Sequence, residues 1–118
     1  MAIDKNLSRE KNIAADLISI GEAYHEISEY DSALFYSDTA LALARRKKEW
    51  FIEASALRNK GRIYNQLAQY DKALDYSNAS LKIARQIHNR RLEGYIYFDI
   101  GITYYLLSQA EKALIHLD

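Results

Sequence analysis

Residues 61–77 read Gly61-Arg62-Ile63-Tyr64-Asn65-Gln66-Leu67-Ala68-Gln69-Tyr70-Asp71-Lys72-Ala73-Leu74-Asp75-Tyr76-Ser77. A glycine is followed three residues on by tyrosine, and twelve and thirteen residues on by Ala-Leu. The same spacing starts at Gly21, with Tyr24 and Ala33-Leu34, and at Gly101, with Tyr104 and Ala113-Leu114. The three glycines stand forty residues apart. The first two units also match at Tyr30-Asp31 and Tyr70-Asp71, Tyr36-Ser37 and Tyr76-Ser77, Leu41 and Leu81, and Ala44-Arg45 and Ala84-Arg85. Matches this numerous in one register mark an internal repeat, and a fixed period of this length means stacked copies of one supersecondary unit.

Each unit carries two helical stripes. Leu17, Ile20, Gly21 and Tyr24 recur at the i, i+3, i+4, i+7 spacing of one helix face, and so do Tyr30, Ala33, Leu34, Ser37, Ala40 and Leu41. The second unit repeats them as Leu57, Gly61, Tyr64 and as Tyr70, Ala73, Leu74, Ser77, Leu81. Short turns separate the halves at 27–29, 67–69 and 107–109. The pattern predicts first helices near 9–27, 49–67 and 89–107, and second helices near 29–47, 69–87 and from 109 onward. Ser28 with Asp31, and Ser108 with Glu111, fit the capping box that starts a helix; the middle turn lacks the serine. A chain without proline and with four glycines has little to break these helices. The fold class expected is all-α, an alpha-alpha superhelix of stacked antiparallel helical hairpins. Gly21, Gly61 and Gly101, with Ala33, Ala73 and Ala113, are expected where two helices cross closely.

These residues resemble the tetratricopeptide repeat family. Its pattern of a bulky residue, Leu-Gly, Tyr, Tyr, Ala-Leu, an aromatic and Ala-Leu reads here as Leu17, Ile20-Gly21, Tyr24, Tyr30, Ala33-Leu34, Tyr36 and Ala40-Leu41. The second unit gives Leu57, Lys60-Gly61, Tyr64, Tyr70, Ala73-Leu74, Tyr76 and Ser80-Leu81, and the third Tyr97, Ile100-Gly101, Tyr104, Ala110 and Ala113-Leu114. The resemblance covers about residues 9–118. The usual period is about 34 residues, and the proline closing the second helix is replaced by Arg45 and Arg85. Losing that proline and lengthening the helix go together. The longer period is similar to repeats of bacterial signalling proteins, kinesin light chains and spindle-orientation scaffolds. The reading is a single domain over 1–118, with repeats at about 9–48, 49–88 and 89–118, the last truncated.

Composition narrows the function. Sixteen basic residues balance sixteen acidic ones, against the basic excess of a nucleic-acid binder. No apolar run approaches a membrane span. Without cysteine there is no disulfide, thiolate zinc site or cysteine nucleophile. Glu22, His25 and Glu26 contain an E-x-x-H spacing, but no second such motif accompanies them. Phosphate-loop and nucleophile-elbow motifs are absent. The expectation is a protein that is not an enzyme, with no cofactor and no metal. Arg45-Arg46-Lys47-Lys48 and Arg90-Arg91 read as solvated helix ends, and Ser37 and Ser77 as packing residues.

By resemblance, the first helix of each repeat lines a concave groove that holds a protein or peptide. The positions implied are Ile18, Glu22, His25 and Glu26, then Arg58, Arg62, Asn65 and Gln66, then Phe98, Ile102, Tyr105 and Leu106. Arg58 and Arg62 are one turn apart and suit carboxylates; Phe98, Ile102, Tyr105 and Leu106 form an apolar stripe. Glu22 stands where chaperone-binding members carry asparagine, so a chaperone C-terminus is not the expected ligand. The expected role is a protein-interaction scaffold, the sensory or adaptor segment of a larger bacterial signalling protein. A cytoplasmic place is expected, with a periplasmic sensor segment as the other option. Residues 3–8 align with 43–48 and 83–88 as the tail of an earlier helix, and the third unit stops at Asp118 on an apolar run. The chain therefore reads as an excerpt of a longer array, or as one that self-associates through its C-terminal helix.

Overall fold

The computed structural model describes the backbone of residues 5–116 and the side chains of residues 13–115. Five helices follow one another: α1 (Lys5–Glu26), α2 (Tyr30–Lys47), α3 (Trp50–Gln66), α4 (Tyr70–Gln86) and α5 (Arg90–His116). Each packs on the next in sequence, and α1, α3 and α5 also touch in order. That neighbour-only pattern stretches the molecule to 70 × 30 × 18 Å. It is an all-α stack of helical hairpins, as the repeat predicts.

The chain reverses through one recurring turn. Ser28, Lys48, Ala68 and His88, twenty residues apart, are left-handed with φ of 63°, 56°, 59° and 57°. At the second hairpin the Ala68 amide donates to the Asn65 carbonyl at 3.1 Å and the Gln69 amide to the Tyr64 carbonyl at 2.9 Å. These two bonds close the helix as a Schellman motif. The Gln69 carbonyl then accepts from the Ala73 amide at 3.0 Å, opening the next helix. A left-handed L-residue is strained by about 1–2 kcal/mol. Ala68 is exposed, and no core cluster includes its methyl. Ala68→Gly is therefore expected to stabilise the protein by about 0.5–1 kcal/mol. Calorimetric melting checks this, and a lower Tm would contradict the turn geometry.

The expected capping boxes do not form. Ser28 occupies the left-handed position, so Glu29 is the N-cap of α2 and makes no side-chain cap bond. The N-caps Glu49 and Gln69 are likewise bare. Asn89 does cap: its Oδ1 accepts from the Leu92 amide at 3.0 Å. Ser108 lies inside α5, because the third turn is absent and the helix runs straight through residues 107–109.

Packing explains the glycines. A Cβ on Gly21 would lie 3.2 Å from Ser37 Oγ and 3.4 Å from the Ala33 carbonyl; on Gly61 it would lie 2.9 Å from Ser77 Oγ and 3.2 Å from the Ala73 carbonyl. Beside each crossing a tyrosine pair stacks, Tyr24 on Tyr36 and Tyr64 on Tyr76, both with ring centroids 5.4 Å apart. Gly101 departs from this expectation: a Cβ there would meet no atom within 4 Å, and Ala113 is exposed. Where the second helix does not fold back, no crossing exists. The core is otherwise small and aliphatic. Ala14, Ile18, Leu41, Ile52 and Leu57 join α1, α2 and α3; Ala54, Leu81, Leu92 and Ile96 join α3, α4 and α5. Lys60, at a site the repeat pattern fills with leucine, is buried yet donates to Asp38 at 2.6 Å and lies 4.4 Å from the Tyr76 ring centre. Burial would lower its pKa, but the Asp38 and Tyr76 contacts outweigh that and raise it.

Candidate binding groove

Because contacts run between alternate helices, α1, α3 and α5 together form one face and present their groove-side residues along it. Two cavities adjoin there. The larger, about 340 Å³, is walled by Ala15, Ile18 and Glu22 of α1, Phe51, Ile52, Ser55 and Arg58 of α3, and Arg91, Leu92 and Tyr95 of α5, with Asn89 at its edge. The smaller, about 120 Å³, is polar: His25, Arg62, Asn65, Gln66, Asp99 and Ile102. Arg58 in one and Arg62 in the other lie one turn of α3 apart, about 6 Å.

The two arginines are not equivalent. Arg58 donates through Nε to Asp99 Oδ2 at 2.5 Å and through a terminal nitrogen to Oδ1 at 3.3 Å. Its guanidinium also lies 5.2 Å from the Tyr95 ring centre. Asp99 is buried, so this fork is an internal tie between α3 and α5, and Arg58 is not the free cation that its spacing suggested. Arg62 has no ion-pair partner among the described residues and faces the smaller cavity. Beside it, His25 is half-buried and its Nε2 has no hydrogen-bond partner among the described residues. Burial, then the positive Arg62, hold the His25 pKa below 6.5, against the opposing pull of Glu26 and Glu22. The imidazole is therefore neutral near pH 7. Asn65 is buried and accepts on Oδ1 from Thr103 Oγ1 at 2.8 Å, so its amide hydrogens are left to donate.

Of the twelve residues expected in the groove, Ile18, Glu22 and Arg58 line the larger cavity and His25, Arg62, Asn65, Gln66 and Ile102 the smaller. Glu26, Phe98, Tyr105 and Leu106 are in neither wall. The register explains Phe98. Ile18 reaches the α3 core and Arg58 reaches Asp99 of α5, so side chains at this position point toward the next first helix. No described helix follows α5, and Phe98 stands exposed. Sequence reasoning missed Phe51, Ser55, Tyr95 and Asp99. The first three lie further toward the helix N-termini than the positions taken from the resemblance. A third recess, of about 360 Å³, lies apart from this face, between the α3–α4 turn and Leu107.

The tetratricopeptide repeat family model matches residues 52–118, more than half of the chain. The chain belongs to the tetratricopeptide repeat family. The matched span takes in α4, α5 and nearly all of α3, and the forty-residue register carries the same pattern back through α1 and α2. No curated protein matches the chain. Tetratricopeptide repeats are in general protein–protein interaction modules on a non-catalytic scaffold. Among the described residues, no helix is long and apolar enough to cross a membrane and no group of His, Asp and Glu is arranged to hold a metal ion.

Proposed function

We propose that this tetratricopeptide repeat domain binds an extended segment of a partner protein across α1, α3 and α5. An apolar side chain enters the cavity between Ile18, Phe51 and Tyr95, and a carboxylate meets Arg62. The observation that carries the reading is the pairing of a three-helix apolar cavity with an adjoining cation that has no ion-pair partner among the described residues. The Arg58 end of the cavity lies one turn of α3, about 6 Å, from Arg62, and same-side residues of an extended chain are about 6.5–7 Å apart. The motif preferred is thus an apolar residue with Asp or Glu two positions away. The free amide hydrogens of Asn65 and Gln66 serve the ligand's backbone carbonyls.

The setting proposed is the sensory or adaptor part of a larger bacterial signalling protein in the cytoplasm, supported by the forty-residue period. A second reading, self-association through the C-terminal helix, is favoured by the open face at Gly101.

Fluorescence anisotropy with labelled peptides containing Leu-x-Glu, Leu-x-Gln and Ala-x-Glu tests the groove. The first should bind best, and Arg62→Ala should weaken it by about ten- to a hundredfold, the value of a charge-assisted contact. Lys82→Ala, on exposed α4 surface, serves as control. Equal binding of the Glu and Gln peptides, or no effect of Arg62→Ala, would remove the carboxylate site.

A further inference from the structure

We propose that two copies of this chain exchange their 109–116 segments, each segment lying on the Gly101 face of the other copy. The inference rests on the self-association reading and gives it a geometry. In the second hairpin, Gly61 and Tyr64 of α3 are covered by α4: Ala73 and Ser77 close on the glycine, and Lys72 Nζ lies 5.3 Å from the Tyr64 ring centre. Gly101, Tyr104, Lys112 and Ala113 repeat four members of this set forty residues later, with Leu117 where Ser77 stands. In α5, however, the two halves of the set lie on one continuous helix and never meet. A Cβ on Gly101 would have nothing within 4 Å, Tyr104 is 57% exposed, and Leu114 and Ile115 are 67% and 70% exposed. The face and the segment whose pattern matches it are both present and both uncovered.

Covering the face within one chain requires Ser108 to take the left-handed state that Ser28, Lys48, Ala68 and His88 adopt. Exchange keeps Ser108 helical. Transferring the α3–α4 pairing to two α5 helices sets them antiparallel, with the twofold axis passing beside Ser108 and Gln109. Gly101 of each copy then meets residues 113–116 of the other, and Lys112 lies over the other copy's Tyr104. The contact is isologous, as closed dimers require. Its overlap is short, so the dimer is weak and its population rises with protein concentration.

The chain has no cysteine, which permits a direct test. In the first hairpin a Cβ on Gly21 lies 3.5 Å from Tyr36 Cβ, within disulfide range. The equivalent pair is Gly101 and residue 116. Gly101→Cys/His116→Cys, oxidised at high concentration and run on a non-reducing gel, should give a covalent dimer. An internally bonded monomer would show that the segment folds back on its own chain and would overturn exchange. In the cysteine-free protein, size exclusion with light scattering should show a dimer that Gly101→Glu abolishes, while the dilute monomer keeps its circular dichroism and melts no lower than the parent. A dimer that survives Gly101→Glu, or one without the cross-link, would leave self-association standing and reject exchange. A monomer at every concentration would reject both.

Discussion

Gly61→Leu is expected to lose about 3 kcal/mol of stability, the upper range for overpacking a close contact. A side chain there would start 2.9 Å from Ser77 Oγ, 3.2 Å from the Ala73 carbonyl oxygen and 3.4 Å from the Ser77 amide nitrogen. Two of these three atoms are α4 backbone and cannot rotate away, so α3 and α4 must part. The Tyr64–Tyr76 stack beside the crossing would open with them. Leucine is favoured over glycine in a helix by about 0.8 kcal/mol, which the clash outweighs. Gly101→Leu meets no such obstacle and should show the propensity gain alone, measured in dilute solution where the monomer prevails. The two substitutions are chemically identical, yet their shifts in Tm should have opposite signs, the Gly61 loss amounting to roughly 10–20 °C. Equal shifts would mean that the helix crossing is misplaced.

The second large effect concerns Arg58. Its fork to Asp99 joins α3 to α5 across 41 residues of chain, and Asp99 is only 4% exposed. Arg58→Ala strands that carboxylate, at a cost of about 2–3 kcal/mol; the partial exposure of the arginine keeps the figure below that of a fully buried pair. Replacing both partners, as Arg58→Met/Asp99→Leu, removes the unpaired charge and should restore most of the loss. Urea unfolding midpoints read both changes. A loss under about 1 kcal/mol for Arg58→Ala would place the pair among weak surface bridges and return Arg58 to the ligand. The contrast with Arg62 matters for function: removing Arg62 should weaken peptide binding and leave the midpoint nearly unchanged.

Eight of the twelve residues expected from the register line the two cavities, and the electrostatics there were not legible in it. Arg58 and Arg62 occupy comparable positions in the sequence, one turn apart on the same helix. Which of them is free depends on Asp99, whose carboxylate reaches Arg58 only because α5 packs against α3. Phe98 reads as a groove anchor in sequence but stands exposed, since its direction depends on a neighbouring helix. Lys60 is the converse case. Its charge stands at the leucine position of the pattern, and Asp38, far away in sequence, makes it compatible with burial.

The sequence by itself determined the first two hairpins and the residues at their crossings, because small and apolar residues recur in a single register and helix propensity is unbroken by proline. It could not decide whether the third expected turn forms. Leu67-Ala68-Gln69 and Leu107-Ser108-Gln109 are nearly the same tripeptide, yet the first reverses the chain and the second continues a helix. Continuing a helix through such residues costs almost nothing locally, whereas the left-handed turn costs about 1 kcal/mol. At Ala68 that strain is offset by burying Ala73, Ser77, Leu81 and Ala84 of α4. Beyond Gln109 the described residues Glu111 to Ile115 bury no face within this chain, and the helix runs straight on.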